Sequence, residues 1–319
     1  MKLNEAQTKF VEAWNRLGSP TLVAKELGLS VRYVYNFRKD LEHKGLSLKT
    51  FNPQTIPAKA PITVKTHEGR VDLEVLNGTV IVFSDAHYYP DMVSTAHLGL
   101  LYMIKKLKPV AIINNGDAFD GAGISRHPRI GWDSKPTVID ELRAVTERLL
   151  EVSEVAPKGC RLIWPLGNHD SRYETFLASQ VPQFQGVDGF HLKDHFPEWK
   201  ACWSCWINDE VVVKHRWKGG AHATWNNTIN AGKSIVTGHL HQLKITPFSD
   251  YNGRRYGVDT GTLADPYGPQ FIDYTEGNPV NWCSGFAVFT FKDGKMLSPE
   301  LVRKWDENVI EFRGELIEV

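Results

Sequence analysis

Cysteine is scarce in this chain: its 319 residues include four, Cys160, Cys202, Cys205 and Cys283. That is too few for a disulfide scaffold at this length. Cys202 and Cys205 form a C-x-x-C. No second pair completes a four-thiolate zinc site, and Trp203 and Trp206 interleave the two in a strand-like run. Buried structural thiols are the expected reading, and a reduced, cytoplasmic setting fits. Net charge is lacking too: Lys+Arg and Asp+Glu both number 37, which excludes a polyelectrolyte. Long apolar runs are missing as well. None follows Met1-Lys2-Leu3-Asn4-Glu5, so no secretory signal is expected. None is long enough to cross a bilayer, so no membrane partner is expected. The sequence shows no internal repeat and no low-complexity tract. Its length suits roughly two domains or one large one.

The charge that is present is unevenly spread. Residues 1–50 hold nine basic and five acidic side chains, leaving the remainder net acidic by four. A mildly basic head on a mildly acidic body suits a nucleic-acid-facing module beside a carboxylate-rich cation site. In the head, residues 1–46, Asn4 can cap a helix over 5–17 whose apolar face is Ala6, Phe10, Val11, Ala13, Trp14 and Leu17. Ser19-Pro20 opens a second helix that Gly28 ends. Ser30 caps a third helix from Val31 to about His43. Val23, Leu27, Leu29 and Phe37 fill the shared core. The spacing of Ala24, Gly28 and Val34 resembles the helix-turn-helix of DNA-binding proteins: a small residue at the crossing, a glycine at the turn, an apolar anchor on the next helix. That resemblance implies that the third helix enters the major groove and that Arg32, Tyr33, Asn36 and Lys39 face DNA. A three-helix protein-interaction module is the alternative.

Residues 47–70, with Pro53, Pro57 and Pro61, read as an extended linker. The body is residues 71–319. Residues 71–76 alternate, Asn77-Gly78 reads as a hairpin turn, and Thr79–Phe83 is a continuous apolar strand. Helices over about 94–107 and 136–154 alternate with strands at 110–113 and 162–165. This β-α-β-α-β pattern implies a parallel sheet buried on both faces. The second half turns to β structure. Strands are expected at 210–214, 234–237, 243–248, 254–259, 285–292 and 299–313, giving two sheets face to face with helices outside.

Each of the main strands ends in side chains that could ligate a cation. Asp85 and His87 follow the first, Asp117 the second, and Asn168, His169 and Asp170 the third. His215 ends the 210–214 strand; His239 and His241 follow 234–237. Asp170 reads either as a carboxylate orienting His169 or as the N-cap of the next helix. Oxygen and imidazole donors without thiolate suit Mn, Fe, Zn, Co or Ni rather than a structural zinc. So many donors exceed the needs of one ion and suit two.

In the order D-A-H, G-D, G-N-H-D, H, G-H-L-H, these blocks resemble the calcineurin-like metallophosphoesterase superfamily over about residues 79–260. The resemblance implies a four-layer α/β/β/α sandwich holding two divalent ions, manganese foremost. One ion would take Asp85, His87 and His241; the other Asn168, His215 and His239; Asp117 would bridge them. His169 would be the proton donor, with Asp170 positioning it. Between the ions a shared water would be acidified toward neutrality and would attack phosphorus. His222 is the alternative to His215, or a substrate contact. Arg126, His127 and Arg129 on a glycine-containing loop, and Arg172 after the third block, could meet a substrate phosphate. Trp217-Lys218 and Tyr88-Tyr89 could stack a ring.

The expected activity is phosphodiester hydrolysis, with the head tilting the substrate toward DNA. Proteins encoded by phages and prophages resemble this pairing of head and body. The alternatives are a small-molecule phosphatase or cyclic-nucleotide phosphodiesterase with a protein-binding head, and a non-enzymatic DNA-binding regulator.

Overall fold

The computed structural model describes residues 3–48, 69–127 and 135–319. Two compact units divide the chain, Met1–Lys65 and Thr66–Val319. The expected linker at 47–70 falls almost wholly outside the described residues, as does Arg129.

The first unit holds α1 (Glu5–Leu17), α2 (Pro20–Leu27) and α3 (Val31–His43). Asn4 starts α1 by a reciprocal cap: its side chain accepts from Gln7 N at 2.9 Å and its own N–H donates to the Gln7 side chain at 3.1 Å. Ser30 caps α3 through Tyr33 N. Gly18 and Gly28 end α1 and α2 in the left-handed region, where a side chain would be strained. Phe10, Ala13, Trp14, Val23, Ala24, Val34 and Leu41 make the core. Ala6 is exposed, so the apolar face of α1 is one turn shorter than its pattern suggests. Arg32, Tyr33, Asn36 and Lys39 all lie exposed on α3.

The second unit runs β1 (Arg70–Leu73), β2 (Gly78–Phe83), α4 (Thr95–Leu107), β3 (Ala111–Asn114), α5 (Val138–Val155), β4 (Arg161–Pro165), α6 (Asp170–Gln180), β5 (Lys200–Cys202), β6 (Ser204–Ile207) and β7 (Val211–Val213). It continues with α7 (Ala223–Ala231), β8 (Ser234–Thr237), β9 (Lys244–Asp250), β10 (Gly253–Asp259), α8 (Ile272–Thr275), β11 (Gly285–Lys292), β12 (Lys295–Met296), β13 (Glu300–Asp306), β14 (Val309–Phe312) and β15 (Glu315–Glu318). The larger sheet is ordered β15-β14-β13-β11-β2-β3-β4-β5, with β12 against β11; the smaller is β1-β6-β7-β8-β10-β9.

The β2, β3 and β4 strands pair in parallel, as strands joined by helical crossovers must. Their side chains serve two apolar layers. Ile81, Phe83, Ile112 and Trp164 pack with Leu100, Met103 and Val145 from α4 and α5. Val80, Val82, Ile113 and Ile163 pack with Val211, Val213, Val236 and Val258 of the smaller sheet. Each such side chain contributes roughly 1.5–3 kcal/mol by leaving water. The far face of the smaller sheet is covered by α7. A Cβ on Gly257 of β10 would collide there with the Thr224 carbonyl oxygen and the Thr228 hydroxyl. The architecture is therefore the four-layer α/β/β/α sandwich.

Three local expectations are corrected. Asn77-Gly78 does not close a hairpin. Parallel pairing joins β1 to β6 in the smaller sheet, while β2 sits between β3 and β11 in the larger. An all-apolar strand is worth most in the middle of a sheet, which leaves no edge of β2 for β1. The 299–313 strand is two strands, β13 and β14, broken at Asn308 in the left-handed region (φ 56°), and β15 follows them. The C-x-x-C spans two sheets: Cys202 ends β5 and Cys205 lies in β6, both buried and both free thiols. Burial pushes the Cys202 thiol up to about 12, which suits an inert packing residue.

On α4, His97 is fully buried between the Tyr88 hydroxyl (3.0 Å) and the Glu151 carboxylate (2.8 Å). Burial outweighs Glu151 and pushes the imidazole down to about 4. The folded state therefore holds His97 neutral where the unfolded chain, titrating near 6.5, takes up a proton. Its contribution is fully present above pH 6.5 and is lost as pH falls toward 4. Urea unfolding from pH 7 to 4 should show His97→Gln with a shallower loss of stability than wild type, by up to about 3 kcal/mol. Parallel curves would refute the assignment.

Candidate metal centre

The ends of β2, β3 and β4 in one sheet and of β7 and β8 in the other meet at one edge of the sandwich. Asp85, His87 and His241 form one group and Asp117, His215 and His239 another; within each, potential ligand atoms lie within 4.8 Å of one another. Asp85 Oδ1 stands 3.0 Å from His241 Nε2, 4.0 Å from His87 Nε2 and 3.9 Å from His215 Nε2, so it touches both groups. Asp117 Oδ2 stands 3.0 Å from His215 Nε2 and 4.0 Å from His169 Nε2. Asn168 follows β4, its Oδ1 buried and without a hydrogen-bond partner.

The glycines of these blocks permit the convergence. A Cβ on Gly167 would strike the Asp117 carboxylate, and one on Gly238 the Asp85 carboxylate. The backbone is strained here as well. Fourteen non-glycine residues have positive φ among those described, and five of them are Asp85, His87, Asp117, His239 and His241. Conformations of this kind cost on the order of 1–3 kcal/mol each and persist where the surroundings impose them. The surroundings do so: Asp85 N donates to Gly116 O, His87 N to Asp117 O, and Gly238 N to His215 O.

The rings are aimed by their far nitrogens. His215 Nδ1 contacts Asn115 O at 2.8 Å, and His87 Nδ1 contacts Asp120 Oδ1 at 3.0 Å. A ring that donates from Nδ1 presents a lone pair at Nε2. Both Nε2 atoms are buried with no hydrogen-bond partner, as is Nδ1 of His241. Buried polar atoms left unpaired are costly. Imidazole and carboxylate donors left in this state fit a borderline divalent cation. Burial alone would raise the Asp85 carboxyl, but His241 and His215 outweigh it and hold it at about 2.

His169 differs. Its Nδ1 lies 2.5 Å from Asp120 Oδ1, and its Nε2 lies 3.2 Å from Arg172 Nη2. A guanidinium only donates, so Nε2 accepts and the ring proton sits on Nδ1, facing Asp120. Burial would lower this imidazole; Asp117 and Asp120 outweigh it and raise it. His87, Asp120 and His169 also cluster within 4.8 Å. Asp120 is occupied there as acceptor for two rings, an orienting role rather than a ligand's.

Asp170 makes no hydrogen bond to the His169 ring, and it does not cap α6. Its carboxylate is fully buried. It accepts from Asp117 N (2.8 Å), Gly167 N (2.8 Å), Phe119 N (3.1 Å) and Trp164 Nε1 (3.0 Å). The orienting carboxylate is Asp120, which the sequence reading passed over; its place three residues past Asp117 was the available signal. Glu141, also passed over, accepts from Gly121 N and Ala122 N and so fixes the turn after Asp120. Arg172 reaches the centre, donating to Asp120 O at 2.8 Å. Arg126 and His127 are exposed, and neither joins these groups. Of the two candidates for the isolated ligand, His215 is buried with Asp117, whereas His222 is exposed at the head of α7.

No family model and no curated protein matches the chain. Among solved structures, it is similar to Vps29 of Entamoeba histolytica complexed with Zn2+: 13% identity, 75% of this chain and 98% of that one, TM-score 0.39. The E. coli phosphoesterase YfcE aligns at 17% identity over 69% of this chain and 97% of that one, TM-score 0.32. Vps29 of Chaetomium thermophilum aligns at 10% identity over 75% and 97%, TM-score 0.37. No helix among the described residues is long and apolar enough to cross a membrane.

Replacing Asp170 by Ala strands three backbone N–H groups and an indole N–H, each costing about 1–3 kcal/mol when buried without an acceptor. Thermal unfolding of Asp170→Ala should show a loss of about 4 kcal/mol or more, and Asp170→Asn a smaller one. A loss below about 1 kcal/mol for the alanine variant would show that the carboxylate is not the anchor.

Proposed function

We propose that the chain is a metal-dependent phosphoesterase of the calcineurin-like metallophosphoesterase superfamily, working with two divalent ions, manganese foremost, on the phosphodiesters of DNA. The observation that carries this reading is the set of unpartnered buried donors, His87 Nε2, His215 Nε2, His241 Nδ1 and Asn168 Oδ1, around the Asp85 and Asp117 carboxylates. Asp85, His87 and His241 would hold one ion; Asn168, His215 and His239 the other; Asp117 would serve both. When bound, such ions supply Lewis acidity, acidifying water and offsetting phosphate charge.

The chain's own groups do the rest. Asp120 holds the His169 ring through Nδ1 and, with Asp117, raises its imidazole, so that the protonated ring would have a proton at Nε2 to give to a leaving oxygen. Arg172, beside that Nε2, offers a guanidinium to a phosphate oxygen. The strained, hydrogen-bonded loops hold these groups in place before substrate arrives. For the head, the exposed Arg32, Tyr33, Asn36 and Lys39 on α3 support DNA binding in the manner of a helix-turn-helix.

Chelator-treated protein, reloaded with Mn2+, should hydrolyse bis-p-nitrophenyl phosphate and labelled DNA in preference to p-nitrophenyl phosphate and cyclic nucleotides. His169→Ala should keep its metal content by elemental analysis and lose about 10²–10⁴-fold in turnover. Asp117→Ala should lose metal. Equal metal content and equal residual rates in the two variants would show the roles to be wrong.

In the full chain, Arg32→Ala with Lys39→Ala should weaken duplex DNA binding and flatten its salt dependence by about 0.9 per lost contact. Small-diester turnover should be untouched. Unchanged DNA binding would make the head a protein-interaction module.

A further inference from the structure

Between Glu210 and Asp250 the chain has no carboxylate side chain, yet residues 211–249 carry Lys214, Arg216, Lys218, Lys233 and Lys244. In a chain of zero formal net charge this is the most one-sided stretch, and it supplies His215, His239 and His241 to the metal centre. Lys233 has a partner, Asp209, at 3.0 Å. Lys244 donates to Ala221 O at 3.2 Å. Lys214, Arg216 and Lys218 make no ion pair with any described residue. They flank His215 on the loop from β7 to α7.

Trp217 sits among these three cations. Its ring is 44% exposed, and the Lys214 and Lys218 ammonium groups lie 5.9 and 5.8 Å from its centre. A half-exposed indole offers a stacking surface. The loop is anchored at both ends. His215 Nδ1 is bonded to Asn115 O, and Lys218 N donates to Asn227 Oδ1 of α7 at 2.9 Å. Three residues past the loop, Trp225 on α7 is likewise 44% exposed, edge-on to Phe248 at 5.1 Å. Arg216 is close enough to the ligand His239 to help lower its imidazole, behind burial and His215. Cations without carboxylate partners, alternating with half-exposed rings and beginning beside a candidate metal ligand, are the pattern of a single-strand site: charges track the phosphates and rings stack the bases. A compact phosphomonoester would need neither the second ring nor cations reaching beyond the centre. A duplex keeps its bases stacked on one another and would leave Trp217 idle.

We propose that the loop 214–222 and the first turn of α7 form a track for single-stranded DNA leading away from the metal centre, with Trp217 stacking a base and Arg216 and Lys218 holding phosphates. The choice of DNA rests on the phosphodiesterase reading above; the track itself is read by binding, without turnover.

The test is fluorescence anisotropy of the full chain in EDTA, with a labelled oligothymidylate of about 15 nucleotides. Trp217→Ala and Lys218→Glu should each weaken binding about tenfold or more. Lys218→Ala should reduce the slope of log affinity against log salt by about 0.7. Lys295→Glu, an exposed charge at β12, should change neither. A duplex of equal length should be indifferent to Trp217→Ala. The proposal is overturned if wild type does not bind the oligothymidylate, if both loop variants bind like wild type, or if the duplex loses as much with Trp217→Ala. Loop sensitivity without metal-dependent turnover would overturn the phosphoesterase reading alone. Turnover of bis-p-nitrophenyl phosphate with an insensitive loop would overturn the track alone.

Discussion

The buried carboxylate of Asp170 is the constraint on which the centre depends. A charge at zero exposure is tolerable when hydrogen-bonded, and four N–H donors meet this one. Those donors come from the end of β4, the turn after it and the loop after β3. One side chain therefore fixes the backbone of Asp117, Gly167 and Phe119 together. Through Gly167 it sets where Asn168 and His169 stand. Through Asp117 N it sets a carboxylate whose Oδ1 in turn accepts from His169 N at 2.8 Å. Burial and the neighbouring Asp117 push the Asp170 carboxyl up to about 6, a measure of how much negative charge is gathered in a small volume.

That concentration of charge has a second side. Asp85, Asp117 and Asp120 all lie within a few ångströms of imidazoles, and several of those rings end in nitrogens with no partner. Five of the converging residues are also held at positive φ. Unpaired buried atoms and left-handed backbone each oppose folding. A binding event that uses the same atoms recovers part of that free energy, as ligand linkage requires. The far ends of the rings are already committed to Asn115 O and Asp120, so little reordering would accompany binding.

Much of this was legible in the sequence, for local reasons. Helix starts at Asn4, Ser19 and Ser30 follow from caps within one turn, and the strands β2, β3 and β4 follow from apolar runs ended by polar blocks. What failed was long-range. Asn77-Gly78 has the composition of a hairpin turn, but its neighbour strand lies more than a hundred residues away, in β6. Asp170 is adjacent to His169, and adjacency suggested an orienting role; its actual partners Asp117 and Phe119 lie 53 and 51 positions off. Asp120 took the role at 49 positions from His169. Glu141 and the Gly121 it serves are twenty residues apart, with no pattern linking them. The strand-like run around Cys202 and Cys205 likewise hides a change of sheet, although both thiols are buried as their setting suggests.

The most direct measurement is anomalous scattering from crystals soaked in Mn2+, recorded on both sides of the metal absorption edge. Two peaks are expected, one among Asp85, His87 and His241 and one among Asn168, His215 and His239, with Asp117 between them. A single peak at Cys202 and Cys205, or no peak at the strand ends in crystals that took up metal elsewhere, would contradict the two-ion reading.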